Sequence, residues 1–275
     1  MSFPTAGSNL SVAAKSSSEP ELTPAEWTCS FARGLIESFR GTVAPDGSYR
    51  SRIYQSARSV TEHIASDYSS RFLVELIQNA YDALTNCSSP GRIRLLWSKG
   101  EGEHGTLYIA NDGEPFQRTN VRALCEVGLS DKPPGQSIGN KGLGFRSVSY
   151  VTDEPSIFPG LEPDKPGSYS GHCFRFAGPA DLETLLPDPL YLEKAVTDLP
   201  RFHVPVPVEQ QNEQVRAAAK DGFATCIRAP QESLRMAYPA RCIRPDESVV
   251  PDPQRPARTR YPVCRILGGM ARRDW

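Results

Sequence analysis

The stretch Glu75-Leu76-Ile77-Gln78-Asn79-Ala80-Tyr81-Asp82-Ala83 decides the reading of this 275-residue chain. Apolar Phe72, Leu73, Leu76 and Ile77 recur around it at helical spacing. Positions i, i+4 and i+7 of a helix share a face, so Glu75, Asn79 and Asp82 line a polar stripe opposite those four. The spacing predicts a helix from Ser69 to Asn86, with Ser69 or Ser70 as N-cap and the Ser88-Ser89-Pro90-Gly91 cluster as breaker. Such a stripe can serve a hard cation. Magnesium takes oxygen ligands and keeps several waters, so one amide oxygen from Asn79 together with phosphate oxygens would suffice, and Glu75 would hold an attacking water. The plainer alternative is a solvated face on which Arg71 pairs with Glu75 one turn on.

A second stretch, Ser137-Ile138-Gly139-Asn140-Lys141-Gly142-Leu143-Gly144-Phe145-Arg146-Ser147, carries three closely spaced glycines. Glycine lets the main chain approach phosphate oxygens, and the helix expected near Phe145 to Tyr150 would present free N–H groups with partial positive charge. No Gly-Lys-Ser/Thr follows, so this is not a P-loop. The order G-x-x-G-x-G, met in mid-chain, also differs from the dinucleotide fingerprint. The alternative is a flexible surface loop. Between the two stretches lies Leu107-Tyr108-Ile109-Ala110-Asn111-Asp112-Gly113-Glu114-Pro115-Phe116, a strand running into a turn. Alone it would mean nothing; its place between the others gives it weight.

Working outward, Trp27, Phe31, Leu35, Ile36 and Phe39 predict an amphipathic helix over Glu26 to Phe39, and a second runs from Tyr54 to Ser66. Strands are expected at Arg92 to Ser98 and Thr106 to Ala110, joined as a hairpin, and later at Ser156 to Phe158, His172 to Phe176, Phe202 to Val206 and Gly222 to Arg228. Short helices are expected near Val121 to Val127 and at Asp181 to Leu186. Helices first and strands mostly later indicate an α+β sandwich. Residues 1–24 read as a disordered leader, 25–230 as one domain, and 231–275 as an irregular tail rich in arginine and proline.

A net charge of -1 names no partner. The leader lacks the layout of a secretory signal, and no apolar run approaches the roughly 18 residues of a membrane span, so a cytoplasmic or nuclear protein is expected. Seven scattered cysteines and four isolated histidines have poor spacing for zinc or a redox pair. In the tail, arginines interleaved with prolines and few aromatics make a weak case for nucleic acid.

In their order and spacing, the three stretches resemble the N-box, adenine motif and glycine-rich lid motif of the GHKL ATPases (gyrase, heat-shock chaperone, histidine kinase, MutL). Glu-Leu-Ile-Gln-Asn-Ala-Tyr-Asp-Ala, Asn-Asp-Gly-Glu-Pro-Phe and Gly-Asn-Lys-Gly-Leu-Gly-Phe-Arg-Ser-Val look most like the sacsin and NO VEIN branch, over roughly Trp27 to Pro230. The resemblance implies a Bergerat-type two-layer sandwich, with helices packed on one face of a mixed, mostly antiparallel sheet. It implies ATP and Mg2+ as cofactors, Glu75 as general base and Asn79 as magnesium ligand. Gly139, Asn140, Lys141, Gly142, Leu143, Gly144 and Phe145 would hold the phosphates. Asp82, Asn111, Asp112, Gly113 and Thr225 would lie about the nucleotide, Thr225 on a late strand near the adenine. The stretch Gly128 to Ser137 would be a mobile lid, with Lys132 as a phosphate contact.

The resemblance has one departure. Where the class places an aspartate followed by x-Gly-x-Gly, this chain has Asn111, and Pro115 replaces the second glycine. A neutral acceptor is weaker by about 1 kcal/mol, though Asp112 could turn inward instead. Arg146 and Lys141 are the candidates in this chain for a γ-phosphate contact, the alternative for each being a surface charge. The expectation is a slow ATPase that closes its lid over ATP and presents itself differently to a protein client or partner domain. The alternative is a module that binds ATP or ADP without turnover. Histidine-kinase phosphotransfer would require a dimeric acceptor domain around His63, and a single helix does not make one.

Overall fold

The computed structural model describes residues 22–67, 71–85, 91–126, 143–231 and 265–268. Thr23 caps the first helix, α1 (Pro24–Gly41): its hydroxyl accepts from the Glu26 N–H, and the Glu26 carboxylate accepts from the Thr23 N–H at 2.9 Å. This reciprocal pair satisfies donors that a helix start would otherwise leave orphaned. Next come α2 (Ile53–Asp67) and α3 (Phe72–Asp82), the helix that carries the Glu75 stripe. The expected caps Ser69 and Ser70 lie outside the described residues, as does Asn86; Arg71 stands at the N-cap without a side-chain capping bond.

The hairpin follows as β1 (Arg92–Ser98) and β2 (Thr106–Asn111), then α4 (Arg118–Cys125) and a short α5 (Leu143–Arg146) that continues as a 3-10 turn over Ser147–Tyr150. The remaining elements are β3 (Ser156–Pro159), β4 (Phe174–Phe176), α6 (Pro179–Leu185), α7 (Pro189–Asp198), β5 (Pro205–Pro207), α8 (Glu213–Lys220), β6 (Thr225–Pro230) and β7 (Arg265–Gly268). Strands β5, β4, β3, β6, β2 and β1 form an open antiparallel sheet in that order, and β7 adds to β1 in parallel. The chain is therefore α+β.

Every residue of β2 is buried, because this strand has neighbours on both sides and cover on both faces. Leu107 and Ile109 join Ile93, Ile157, Phe174 and Ile227 in a core closed by Phe72, Leu76 and Ala80 of α3, by α4 and by Phe145 of α5. Tyr108 and Ala110 point the other way, against Val215, Ala218 and Ala219 of α8. The expectation that the helices pack on one face is corrected here: α8 covers part of the reverse face. A third cluster joins α1 to Tyr54 of α2 and to α6 and α7 at the side. Strand β7 lies within the stretch 231–275 expected to be an irregular tail, of which 232–264 and 269–275 lie outside the described residues. Among the described residues, no helix is long and apolar enough to cross a membrane.

Candidate functional site

Helix α3 is the backbone of the site, and each end of it touches another of the three motifs. At its C-terminal end the Glu114 N–H donates to the Ala83 carbonyl at 2.9 Å. Gly113 presses so closely there that a side-chain carbon on it would lie 2.3 Å from the Ala83 oxygen. Only glycine allows the turn after β2 to seat against the helix. At the other end, a methyl on Gly144 would lie 2.4 Å from Glu75 Oε2. Glu75 and Ala83 are eight residues apart, so about 12 Å of helix separates the two contacts.

The Glu75 carboxylate is largely enclosed, its side chain 14 % exposed, and Oε1 lies 3.9 Å from the Arg71 guanidinium, which is itself mostly exposed. The i, i+4 pair of the plainer alternative is thus present, at the outer limit of an ion pair, while the other oxygen faces Gly144. Asn79, one turn on, is half-buried, and Asp82 is exposed. The buried face of α3 is Phe72, Leu76 and Ala80.

The β2–β6 ladder sets Asn111 directly opposite Thr225, and Thr225 also pairs with Pro159 of β3. Both Asn111 and Thr225 are buried. Asn111 Oδ1 accepts the Gly113 N–H at 3.1 Å, which shapes the turn. Thr225 Oγ1 is buried without a hydrogen-bond partner. An orphaned buried hydroxyl costs about 1–3 kcal/mol. Asp112 does not turn inward: its carboxylate accepts the Arg92 N–H at 2.6 Å and Arg92 Nε at 2.7 Å, at the start of β1.

Phe145 is buried among Phe176 and Phe202 and anchors α5 in the core. Leu143 is the first residue of α5. Lys132, Gly139, Asn140, Lys141 and Gly142, with the lid expected at 128–137, lie outside the described residues. Arg146 is neither a surface charge nor placed for a phosphate. It is 2 % exposed, and its guanidinium donates to the carbonyls of Leu124, at 2.7 Å, and Arg201. Burial lowers its pKa to about 10. His203 beside it, one of the four isolated histidines, is buried with Nδ1 2.7 Å from the Cys125 carbonyl, and burial pulls its pKa down to about 4.

Two clefts lie elsewhere. One of about 560 Å³ runs past Leu22, Arg118 and His172, and one of about 210 Å³ lies between α2 and the 3-10 turn, with Arg146 and Arg201 in its wall. Neither borders Glu75, Asn111 or Thr225. Among the described residues, no group of three histidine, cysteine, aspartate or glutamate side chains is placed to hold a metal.

No family model matches the chain. It is 39 % identical over 90 residues to Protein NO VEIN of Arabidopsis thaliana, a stretch that covers 32 % of this chain and 3 % of that protein. The likeness is partial and fits a distant relationship to the sacsin and NO VEIN group.

Proposed function

We propose that this chain is a magnesium-dependent adenine-nucleotide-binding domain of the Bergerat type that hydrolyses ATP slowly, within the sacsin and NO VEIN branch of the GHKL class. The observation that carries the proposal is the convergence on α3 of residues far apart in the chain. Gly144 meets the helix at Glu75 and Gly113 meets it at Ala83, while Asn111 beside Gly113 faces the orphaned Thr225 hydroxyl. The span between the two ends, about 12 Å of helix, is comparable to that from a purine to its terminal phosphate.

Thr225 Oγ1 and the Asn111 amide, buried side by side, take the base end. At the other end Gly144, bare of a side chain, lets the Glu75 carboxylate close against the glycine motif, whose main chain would offer N–H donors to the phosphates. The half-buried Asn79 amide offers one oxygen, which fits magnesium with its remaining positions filled by phosphate and water. Bound there, the ion would screen phosphate charge. Glu75 holds and deprotonates the attacking water, and its enclosure keeps that carboxylate from wandering. The identity to Protein NO VEIN supports the choice of branch.

Glu75→Ala tests the assignment. Turnover should fall about 10²- to 10⁴-fold while nucleotide affinity stays within a few-fold of wild type. A variant that loses binding as steeply as turnover would show that Glu75 is not the base.

A further inference from the structure

Arg146 is the largest of the almost fully buried side chains, and among the described residues it forms no ion pair with any carboxylate. Its guanidinium is spent on carbonyls: Leu124 in the last turn of α4, Arg201, and Phe202 at 3.5 Å, with Nε left unpartnered. A buried cation without a counter-charge is expensive, and an apolar side chain of similar volume is often as stable or more so. Part of the cost is offset because the carbonyls at a helix C-terminus are both orphaned and partially negative. The adjoining Cys125 carbonyl is bonded by His203. The loop that meets Arg146 is strained as well: Phe202, though not glycine, has φ of 58°. Two unfavourable features thus meet at one point, two residues beyond Gly144.

We infer that Arg146 is the positioning residue of the nucleotide site. Its bonds tie α5 to the end of α4 and to the loop at 201–202, and this fixes Gly144 against Glu75. The inference rests on the nucleotide reading for its meaning, because Arg146 acts through Glu75 and touches no reacting atom.

The test uses Arg146→Met, which fills the space without the bonds, and Arg146→Lys, which keeps the charge but lacks the planar fork. Amide exchange followed by mass spectrometry should quicken about 10-fold in residues 118–126 and 143–150 of Arg146→Met, with α1 and β6 unchanged. Its kcat should fall about 10²-fold with KM within a few-fold, since small misplacements near reacting groups act on the chemical step. Arg146→Lys should recover part of both, and should show the same local pattern if the methionine variant does not fold. Exchange that quickens evenly across the chain, or kcat unchanged in a wild type that turns over, would overturn the positioning role alone. A folded wild type that neither binds nor turns over ATP would overturn the nucleotide reading and this inference together.

Discussion

Thr225 stands directly opposite Asn111 in the β2–β6 ladder, with its hydroxyl buried and unbonded. If that hydroxyl waits for the nucleotide base, Thr225→Val should leave the ligand-free protein as stable as wild type or slightly more so. The same change should weaken ATP about 5-fold, the equivalent of one hydrogen bond near 1 kcal/mol. Melting curves with and without nucleotide separate the two effects. A variant that is destabilised alone, with affinity untouched, would make Thr225 a packing residue only.

Gly144→Ala should fold, because the atom its methyl meets is the tip of a side chain, Glu75 Oε2 at 2.4 Å. The carboxylate must swing away, and turnover should drop about 10²-fold. Steady-state hydrolysis, corrected for folded fraction by circular dichroism, checks this. Unaltered turnover would detach the glycine motif from Glu75.

Gly113→Ala meets main chain instead, at 2.3 Å from the Ala83 oxygen and 2.5 Å from its carbonyl carbon. With nothing flexible to move, the cost should be about 3 kcal/mol. Gly34, exposed in mid-α1 with nothing within 4 Å, is the control: alanine there should stabilise by about 1 kcal/mol. Urea denaturation of both variants should show opposite signs.

Stability should also fall in mild acid. Burial first, and Arg146 nearby second, bring the pKa of His203 from 6.5 to about 4, so between these values the unfolded chain binds the extra proton. This contribution is complete above pH 6.5 and fades as pH falls toward 4, to a total of about 3 kcal/mol. His203→Gln, which can still donate to the Cys125 carbonyl, should flatten that part of the profile. An unchanged slope would place the acid sensitivity elsewhere.

The elements most legible in the sequence are those with a strong period or a continuous apolar run: α1, α3 and β2 lie within a few residues of their expected bounds. Helices α7 and α8 escape a reading by period because each is short, and α7 is set among prolines as well. Their caps were nonetheless there to be read: the Asp188 carboxylate accepts from the Leu190 N–H at 2.9 Å, and Asn212 accepts from the Val215 N–H at 3.0 Å. Glu75, Asn79 and Gly144 could be singled out as candidates because a motif ties residue type to chemistry. That Asn111 faces Thr225 follows from strand register, which no local pattern reveals, and that Asp112 turns to Arg92 follows from an ion pair formed across the hairpin. The burial of Arg146 has no signature either, since a charged residue after Gly-Leu-Gly-Phe reads equally as a surface or a phosphate group.

The central claim is that this fold holds an adenine nucleotide along α3, and calorimetric titration of the whole chain with a non-hydrolysable ATP analogue tests it most directly. Saturable binding is predicted, tightened by magnesium in the wild type and not in Asn79→Ala. No binding heat at any temperature, from a sample that melts cooperatively, would contradict the claim.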